Sequence, residues 1–305
     1  MKYFSLLTAL FLMLLPAYGQ SLYIKTFGNK DNTPIIFIHG GPRGNSLLFE
    51  ATTAQQLANR GFYVIVYDRR GEGRSTYENA KVTYQEAFDD LNAIYKTYGL
   101  KRANLIGFSF GGLVTTLFAE KYPEKIDAII LTSGLFAQQE TYNHILDSVK
   151  MIYTRQHDTA KLKQVLSVEN LSKNSAEYRK ECFVLASENG FFKVANGTEE
   201  AKKMYAAYDA LGLKDIRNDA APALFYKNEK RSNIDVKPIL AGLQRNNMRI
   251  YALYGKQDGI FSVAQMNSLR KIVGEARFKY LDNASHYLFT DRQTEFLNSL
   301  EKWLK

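Results

Sequence analysis

The stretch Asn104-Leu105-Ile106-Gly107-Phe108-Ser109-Phe110-Gly111-Gly112 joins a short apolar run, a G-x-S-x-G pattern and the start of a helix-like segment that continues to Tyr122. A serine placed this way between a buried strand and a helix sits on a sharp, strained turn, the nucleophile elbow. Glycines flank it because a Cβ at those positions would collide with neighbouring chain. Ser109 Oγ then projects above the sheet edge at the N-terminus of the following helix, whose positive end favours a developing negative charge.

Outward from this turn the same grammar repeats. Ile35–His39 and Phe62–Asp68 are short apolar runs of the kind buried on both faces of a parallel sheet, and Leu47–Arg60 and Tyr84–Tyr98 read as helices closed by Gly61 and Gly99. Ala128–Thr132 is a further strand. Strands alternating with helices imply right-handed crossovers and a mainly parallel sheet. The alternation stops from Leu135 to Asn246, where Lys, Glu, Gln, Ala and Tyr recur at helical spacing, with breaks near Asn189-Gly190, Asn196-Gly197, Pro222 and Pro238. It resumes with strands at Met248–Tyr254 and Arg277–Leu281 and helices at Ser262–Val273 and Arg292–Leu304. The expected fold class is α/β, a mostly parallel central sheet flanked by helices. Residues 20–134 and 247–305 form the core, and 135–246 an inserted helical cap over one end of the sheet.

The chain has 305 residues, 46% hydrophobic, 23% charged and 13% aromatic, which supplies a large core and excludes a disordered chain or a small stapled module. One cysteine, Cys182, excludes an intramolecular disulfide and a cysteine-built zinc site; its neighbours Phe183-Val184-Leu185 mark it as an apolar filler. Residues 1–19 read as a signal peptide: Lys2 is the positive n-region, Leu6–Leu15 the apolar run and Ala17-Tyr18-Gly19 the cleavage pattern. Cleavage would leave a chain starting at Gln20, exported to the periplasm or secreted, and would take the formal net charge from +9 to +8. The basic residues are dispersed, so no nucleic-acid partner is expected, and no later segment is long and apolar enough to span a bilayer.

A serine hydroxyl needs a base to take its proton and a carboxylate to hold that base, and on this scaffold the chain order is serine, acid, histidine. Four histidines are present. His286, in Asn283-Ala284-Ser285-His286, follows the last strand; His144 and His157 fall in the helical insertion, where a solvated surface is expected; His39 ends the first apolar run. The acid is expected at Asp258, directly after the strand ending at Tyr254, with Asp282 and Asp68 as less well placed rivals. Two backbone N–H groups should face the tetrahedral oxyanion: that of Phe110, after the nucleophile, and that of Gly41, in His39-Gly40-Gly41-Pro42. These pieces meet at the carboxyl edge of the sheet, where open α/β folds place their ligands. No G-x-G-x-x-G follows a strand, and no P-loop or histidine pair at metal spacing occurs, so neither cofactor nor metal is expected.

Three stretches, His39-Gly40-Gly41-Pro42, Asp68-Arg69-Arg70-Gly71-Glu72-Gly73-Arg74-Ser75 and Gly107-Phe108-Ser109-Phe110-Gly111-Gly112, resemble the HGGPG, DQRGxGxS and GGSWGG patterns of the proline iminopeptidase branch of the α/β-hydrolases. The resemblance implies an α/β-hydrolase fold and an aminopeptidase acting by acyl transfer on a short peptide. It departs from the branch at Arg43, usually Gly, at Phe110, usually Trp, and at Phe108, often Gly. Arg43 and Phe108 are therefore candidate substrate-binding residues. In that branch, acidic cap residues bind the substrate amine; Glu177, Glu181, Glu188, Glu199, Glu200 and Glu229 are available, and no motif selects among them. The alternatives are a carboxylesterase or other small-molecule acyl or C–C hydrolase and, in a different class, a non-catalytic binding member of the fold.

Overall fold

The computed structural model describes residues 22–75, 77–213 and 216–305; the signal-like residues 1–19 lie outside them. Strands β1 (Ile24–Phe27), β2 (Thr33–Ile38), β3 (Phe62–Tyr67), β4 (Ala103–Phe108), β5 (Ile126–Thr132), β6 (Arg249–Gly255) and β7 (Phe278–Leu281) form one sheet in the order β1-β3-β2-β4-β5-β6-β7. β1 pairs antiparallel with β3, and the other pairs are parallel. All residues of β3 and β4 are buried, which is why they read as continuous apolar runs. The chain runs from β2 toward β3 on one side and from β4 toward β7 on the other. The gap beyond the carboxyl ends of β2 and β4 is therefore the switch point where such sheets accept ligands.

The helices cover both faces. α1 (Leu47–Phe49), a π-helical turn (Glu50–Ala54), α2 (Gln55–Asn59), and, later in the chain, a short helix (Leu288–Asp291) and the C-terminal helix (Gln293–Leu304) bury Phe49, Leu57, Phe289, Phe296 and Leu300 against one face. On the other face α3 (Tyr84–Thr97) and α4 (Gly111–Lys121) contribute Leu91, Ile94, Leu113 and Leu117. α3 starts where the Thr83 hydroxyl accepts from Glu86 N–H and ends before Gly99, which is in the left-handed region at φ 64°.

Between β5 and β6 the described chain forms α5 (Gln138–Arg155), α6 (Thr159–Glu169), α7 (Ala176–Glu188), α8 (Glu199–Ala210), α9 (Ala221–Asn228) and α10 (Lys237–Arg245). α5, α6 and α7 enclose a core of their own, with Tyr142, Val149, Val165, Tyr178, Cys182 and Leu185 buried together. α11 (Val263–Val273) follows β6, capped by Ser262 and Gln265 in a reciprocal box.

Two local differences from the sequence reading have physical reasons. The helix expected over Leu47–Arg60 widens into the π turn at Glu50–Ala54, which places buried Glu50 on Arg74 and Tyr23 while Thr53 bonds the Phe289 carbonyl. The strand expected at Ile35–His39 begins two residues earlier, since Thr33 and Pro34 already pair with Phe62 and Tyr63. Proline lacks a ladder donor but is tolerated at a strand start.

Phe37 of β2 stacks on Phe49 with ring centroids 3.7 Å apart and meets Phe289 edge-on. Phe37→Ala is expected to lower unfolding free energy by about 3–5 kcal/mol, whereas truncating exposed Met151 should change it by under about 0.5 kcal/mol; urea unfolding monitored by circular dichroism checks both.

Candidate active site

β4 ends at Phe108, α4 begins at Gly111, and the chain turns between them with Ser109 at φ 51°, a conformation costly for a side-chain-bearing residue. The neighbours hold it there. A Cβ on Gly107 would lie 2.6 Å from Thr115 Oγ1 and 2.7 Å from the Gly111 carbonyl oxygen, and one on Gly111 would strike the Ile38 carbonyl. The Ser109 carbonyl accepts from Leu135 N–H at 2.7 Å, tying the turn to the end of β5.

Asp258 and His286 come from the loops after β6 and β7, 28 positions apart in sequence, and meet with Asp258 Oδ2 2.8 Å from His286 Nδ1. They are 3% and 4% exposed, so the pair is shielded from water, which strengthens it. Gln257 fixes the distance between the two loops: its backbone N–H donates to the Ala284 carbonyl, and its side-chain oxygen accepts from Ala284 N–H. The imidazole is walled by Phe108 and Phe192, with ring centroids 5.0 and 5.3 Å away. Asp291, absent from the sequence reading, holds the histidine loop: its carboxylate accepts from Ser285 N–H at 2.8 Å, from Ser285 Oγ at 2.6 Å and from Tyr205 OH of α8 at 2.9 Å.

The loop after β2 is clamped by the motif at 68–75. Buried Arg69 donates from Nη1 to the His39 carbonyl at 2.5 Å and from Nη2 to the Gly40 carbonyl at 2.9 Å, while its Nε pairs with Glu72 Oε2 at 2.8 Å. Glu72 Oε1 in turn accepts from the backbone of Arg43 and Gly44, at 2.7 and 3.1 Å. His39 Nε2 accepts from Arg69 N–H at 3.0 Å, so Nδ1 carries the proton and donates to the Gly40 carbonyl at 2.6 Å. Burial first, and then the Arg69 charge, press the His39 pKa down to about 4, which keeps the ring neutral. A Cβ on Gly41 would lie 2.5 Å from both Arg69 Nη2 and Glu72 Oε1. Among the described residues, no acceptor meets the N–H of Gly41 or of Phe110.

Gly41, Ser109 and His286 line one cavity of about 500 Å³, together with Phe37, Phe108, Phe183, Phe192, Tyr205, Tyr208, Tyr287 and Phe289. Phe108 and Arg43, the two candidate substrate-binding residues, also line it, and the Arg43 side chain reaches Asp219 with Nε 2.8 Å from Oδ1. The Phe110 ring does not face this cavity. It stacks on Tyr84 at 5.6 Å and meets Phe225 at 5.2 Å, so the residue at this position bears on packing beneath the turn and not on the cavity wall. The rival acids are elsewhere: Asp282 pairs with Lys256 in solvent, and Asp68 is buried against Arg74 and Ser46. Burial raises the Asp68 pKa, but the Arg74 bonds and charge outweigh it and hold the carboxyl below its ordinary value. His157 is exposed, as expected; His144 is half-buried in α5, and burial lowers its pKa. None of the six cap glutamates named above lines the cavity, whose one carboxylate among the described residues is Asp209. No cluster of His, Cys, Asp or Glu among the described residues is arranged to hold a metal, and no helix among them is long and apolar enough to cross a membrane.

A parallel sheet with a serine on a strained strand-to-helix turn at its switch point defines the α/β-hydrolase class. Residues 33–293 match the family described as "alpha/beta hydrolase fold", and the chain belongs to it. Over 292 residues it is 24% identical to a Mycoplasma genitalium protein provisionally called a proline iminopeptidase, covering 88% of this chain and 89% of that protein. Over 126 residues it is 29% identical to the proline iminopeptidase of Lactiplantibacillus plantarum, 40% of this chain and 44% of the relative. Its fold is similar to that of a proline iminopeptidase-related protein of Thermus thermophilus, with TM-score 0.67, 21% identity and 95% of each chain covered. It is also similar to that of an esterase from Exiguobacterium antarcticum, with TM-score 0.64, 16% identity, and 93% of this chain and 95% of that one covered.

His39 makes the loop acid-sensitive. Its folded pKa of about 4 lies below the ordinary histidine value of 6.5, so the unfolded chain binds the extra proton first as the pH falls. The His39 contribution is constant above about pH 6.5 and is lost between there and pH 4, up to about 3 kcal/mol. Urea midpoints across this range should fall more steeply for the parent than for His39→Gln, even though the variant is less stable at neutral pH.

Proposed function

We propose that this protein is a serine hydrolase working by acyl transfer on a small substrate. The observation that carries the reading is the buried Asp258–His286 pair facing the same cavity as Ser109 on its strained turn. Ser109 Oγ attacks the substrate carbonyl while His286 Nε2 takes its proton, and Asp258, bonded at Nδ1, holds the imidazole in the tautomer that leaves Nε2 free to accept. The oxyanion is received by the N–H groups of Gly41 and Phe110, each such donor being worth roughly 2.7–4 kcal/mol of barrier. His286 returns the proton to the departing alcohol or amine, and water then cleaves the acyl-enzyme by the same steps in reverse.

Within this class, an aminopeptidase of the proline iminopeptidase type is supported by the three motifs and by the names of the relatives. A carboxylesterase is the second reading, favoured by the absence of the cap glutamates from the cavity lining. Export also belongs to this proposal and rests on the leader pattern of residues 1–19; intact-mass analysis of the mature protein should then find Gln20 at its N-terminus.

Fluorophosphonate labelling and turnover of prolyl-β-naphthylamide and p-nitrophenyl acetate test the chemistry. Parent protein should be labelled and should turn over at least one substrate, and Ser109→Ala should lose labelling and at least about 10³-fold in kcat. Amide cleavage selects the peptidase, and ester cleavage without amide cleavage selects the esterase. Unlabelled parent protein with no turnover would return the chain to the binding members of the fold.

A further inference from the structure

The cavity holds three guanidinium groups, Arg43, Arg179 and Arg217, against the single carboxylate of Asp209 among the described residues that line it. Arg43 and Arg217 both lie against Asp219, with Nε atoms 2.8 and 3.6 Å from its Oδ1. Arg179 differs. It projects from the first turn of α7, is half-buried, and has no carboxylate partner among the described residues; its hydrogen bond runs from Nη2 to the Gly41 carbonyl at 2.7 Å, and its Cζ lies 4.9 Å from the Phe183 ring centroid. A guanidinium has five N–H donors in a planar fork, so most of its donors, and a charge with no carboxylate opposite it among the described residues, remain for a ligand.

Helix stability does not account for this position. A cation in the first turn opposes the helix dipole, and a half-buried charge without a counter-charge costs desolvation that one carbonyl bond and one ring contact repay only in part. Arg179, Arg43 and Phe183 also line a second cleft on the cap surface, so they form the wall between the inner cavity and the outside. An anion arriving there meets Arg179 beside the backbone of Gly41, the residue whose N–H faces the reacting carbonyl in the mechanism above.

We propose that Arg179 is a specificity-determining residue that receives a carboxylate of the substrate. The substrates are then esters or amides of small acids that carry a second, ionised carboxylate on one side of the scissile bond. This inference rests on the serine-hydrolase reading. It deepens that reading by naming the charge the cavity selects: an anion, where a free N-terminal amine would meet an unpartnered cation. A carboxylate matches the guanidinium fork with two parallel bonds, beside the apolar faces of Phe183 and Phe192.

Two matched pairs test it with the full-length protein: p-nitrophenyl hemiglutarate against p-nitrophenyl pentanoate, with the charge on the acyl side, and 4-acetoxybenzoate against 4-acetoxybenzamide, with the charge on the leaving group. In at least one pair the parent should prefer the anion by about ten- to hundred-fold in kcat/KM, the range of a charged hydrogen bond. Arg179→Gln should abolish that preference by costing the anionic member at least about ten-fold more in kcat/KM than the neutral one, and Arg179→Lys should restore part of it. No preference in the parent, or a preference that survives Arg179→Gln, overturns the proposal. Equal losses on neutral and anionic members also overturn it, because they would mean that Arg179 only holds Gly41; unchanged fluorophosphonate labelling shows that the variant is folded. Turnover that survives Ser109→Ala, or no turnover at all, instead removes the serine reading, and the inference falls with it.

Discussion

The arrangement depends on how closely backbones approach one another around Ser109. Gly111 lies against the Ile38 carbonyl, Gly107 against the Gly111 carbonyl, and Gly112 against Gly134, so β2, β4, β5 and the start of α4 leave no room for a methyl group between them. This contact sets where α4 leaves the sheet and how far the β2 loop stands from the serine: a Cβ on Gly40 would be 3.0 Å from that of Ser109. The strain at φ 51° persists because every route to relaxing it runs into neighbouring backbone.

The second element is ionic and buried. Arg69 and Glu72 are almost fully shielded, and a pair in such a place contributes little net stability, because desolvation consumes most of the attraction. What it provides is geometry. Its hydrogen-bonding capacity is directed at the backbone of residues 39–44, occupying the carbonyls of His39 and Gly40 and the N–H groups of Arg43 and Gly44 while leaving that of Gly41 without an acceptor among the described residues. A neutral, buried His39 completes the clamp.

Much of the α/β body was legible because its strands are buried on both faces and its turns are punctuated by glycine. The runs at 35–39, 62–68 and 104–108 fall within one or two residues of β2, β3 and β4. Ser109, Asp258 and His286 were singled out because each falls in a loop that follows a strand; in the structure Ser109 and His286 line one cavity and Asp258 meets His286 Nδ1. What the sequence concealed depends on contacts across long separations. Asp291 meets Tyr205 over 86 positions, and Arg179 meets Gly41 over 138, with no local pattern announcing either. The π turn at Glu50–Ala54 was hidden for a related reason: the partner it brings Glu50 to is the distant Arg74. The side-chain direction of Phe110 was also unreadable, since the elbow motif fixes its backbone and leaves its ring to the packing of Tyr84 and Phe225.

The lone thiol has a practical consequence. Cys182 is fully buried among the side chains of α5, α6 and α7, and burial pushes its pKa up to about 12, so in the closed fold it is neither reachable nor nucleophilic. With no other cysteine in the chain, alkylation by a thiol reagent counts openings of that helical layer and nothing else. The native protein thus carries a built-in clock for breathing of the layer above Ser109, one that reports without a dye, a tag or an engineered site.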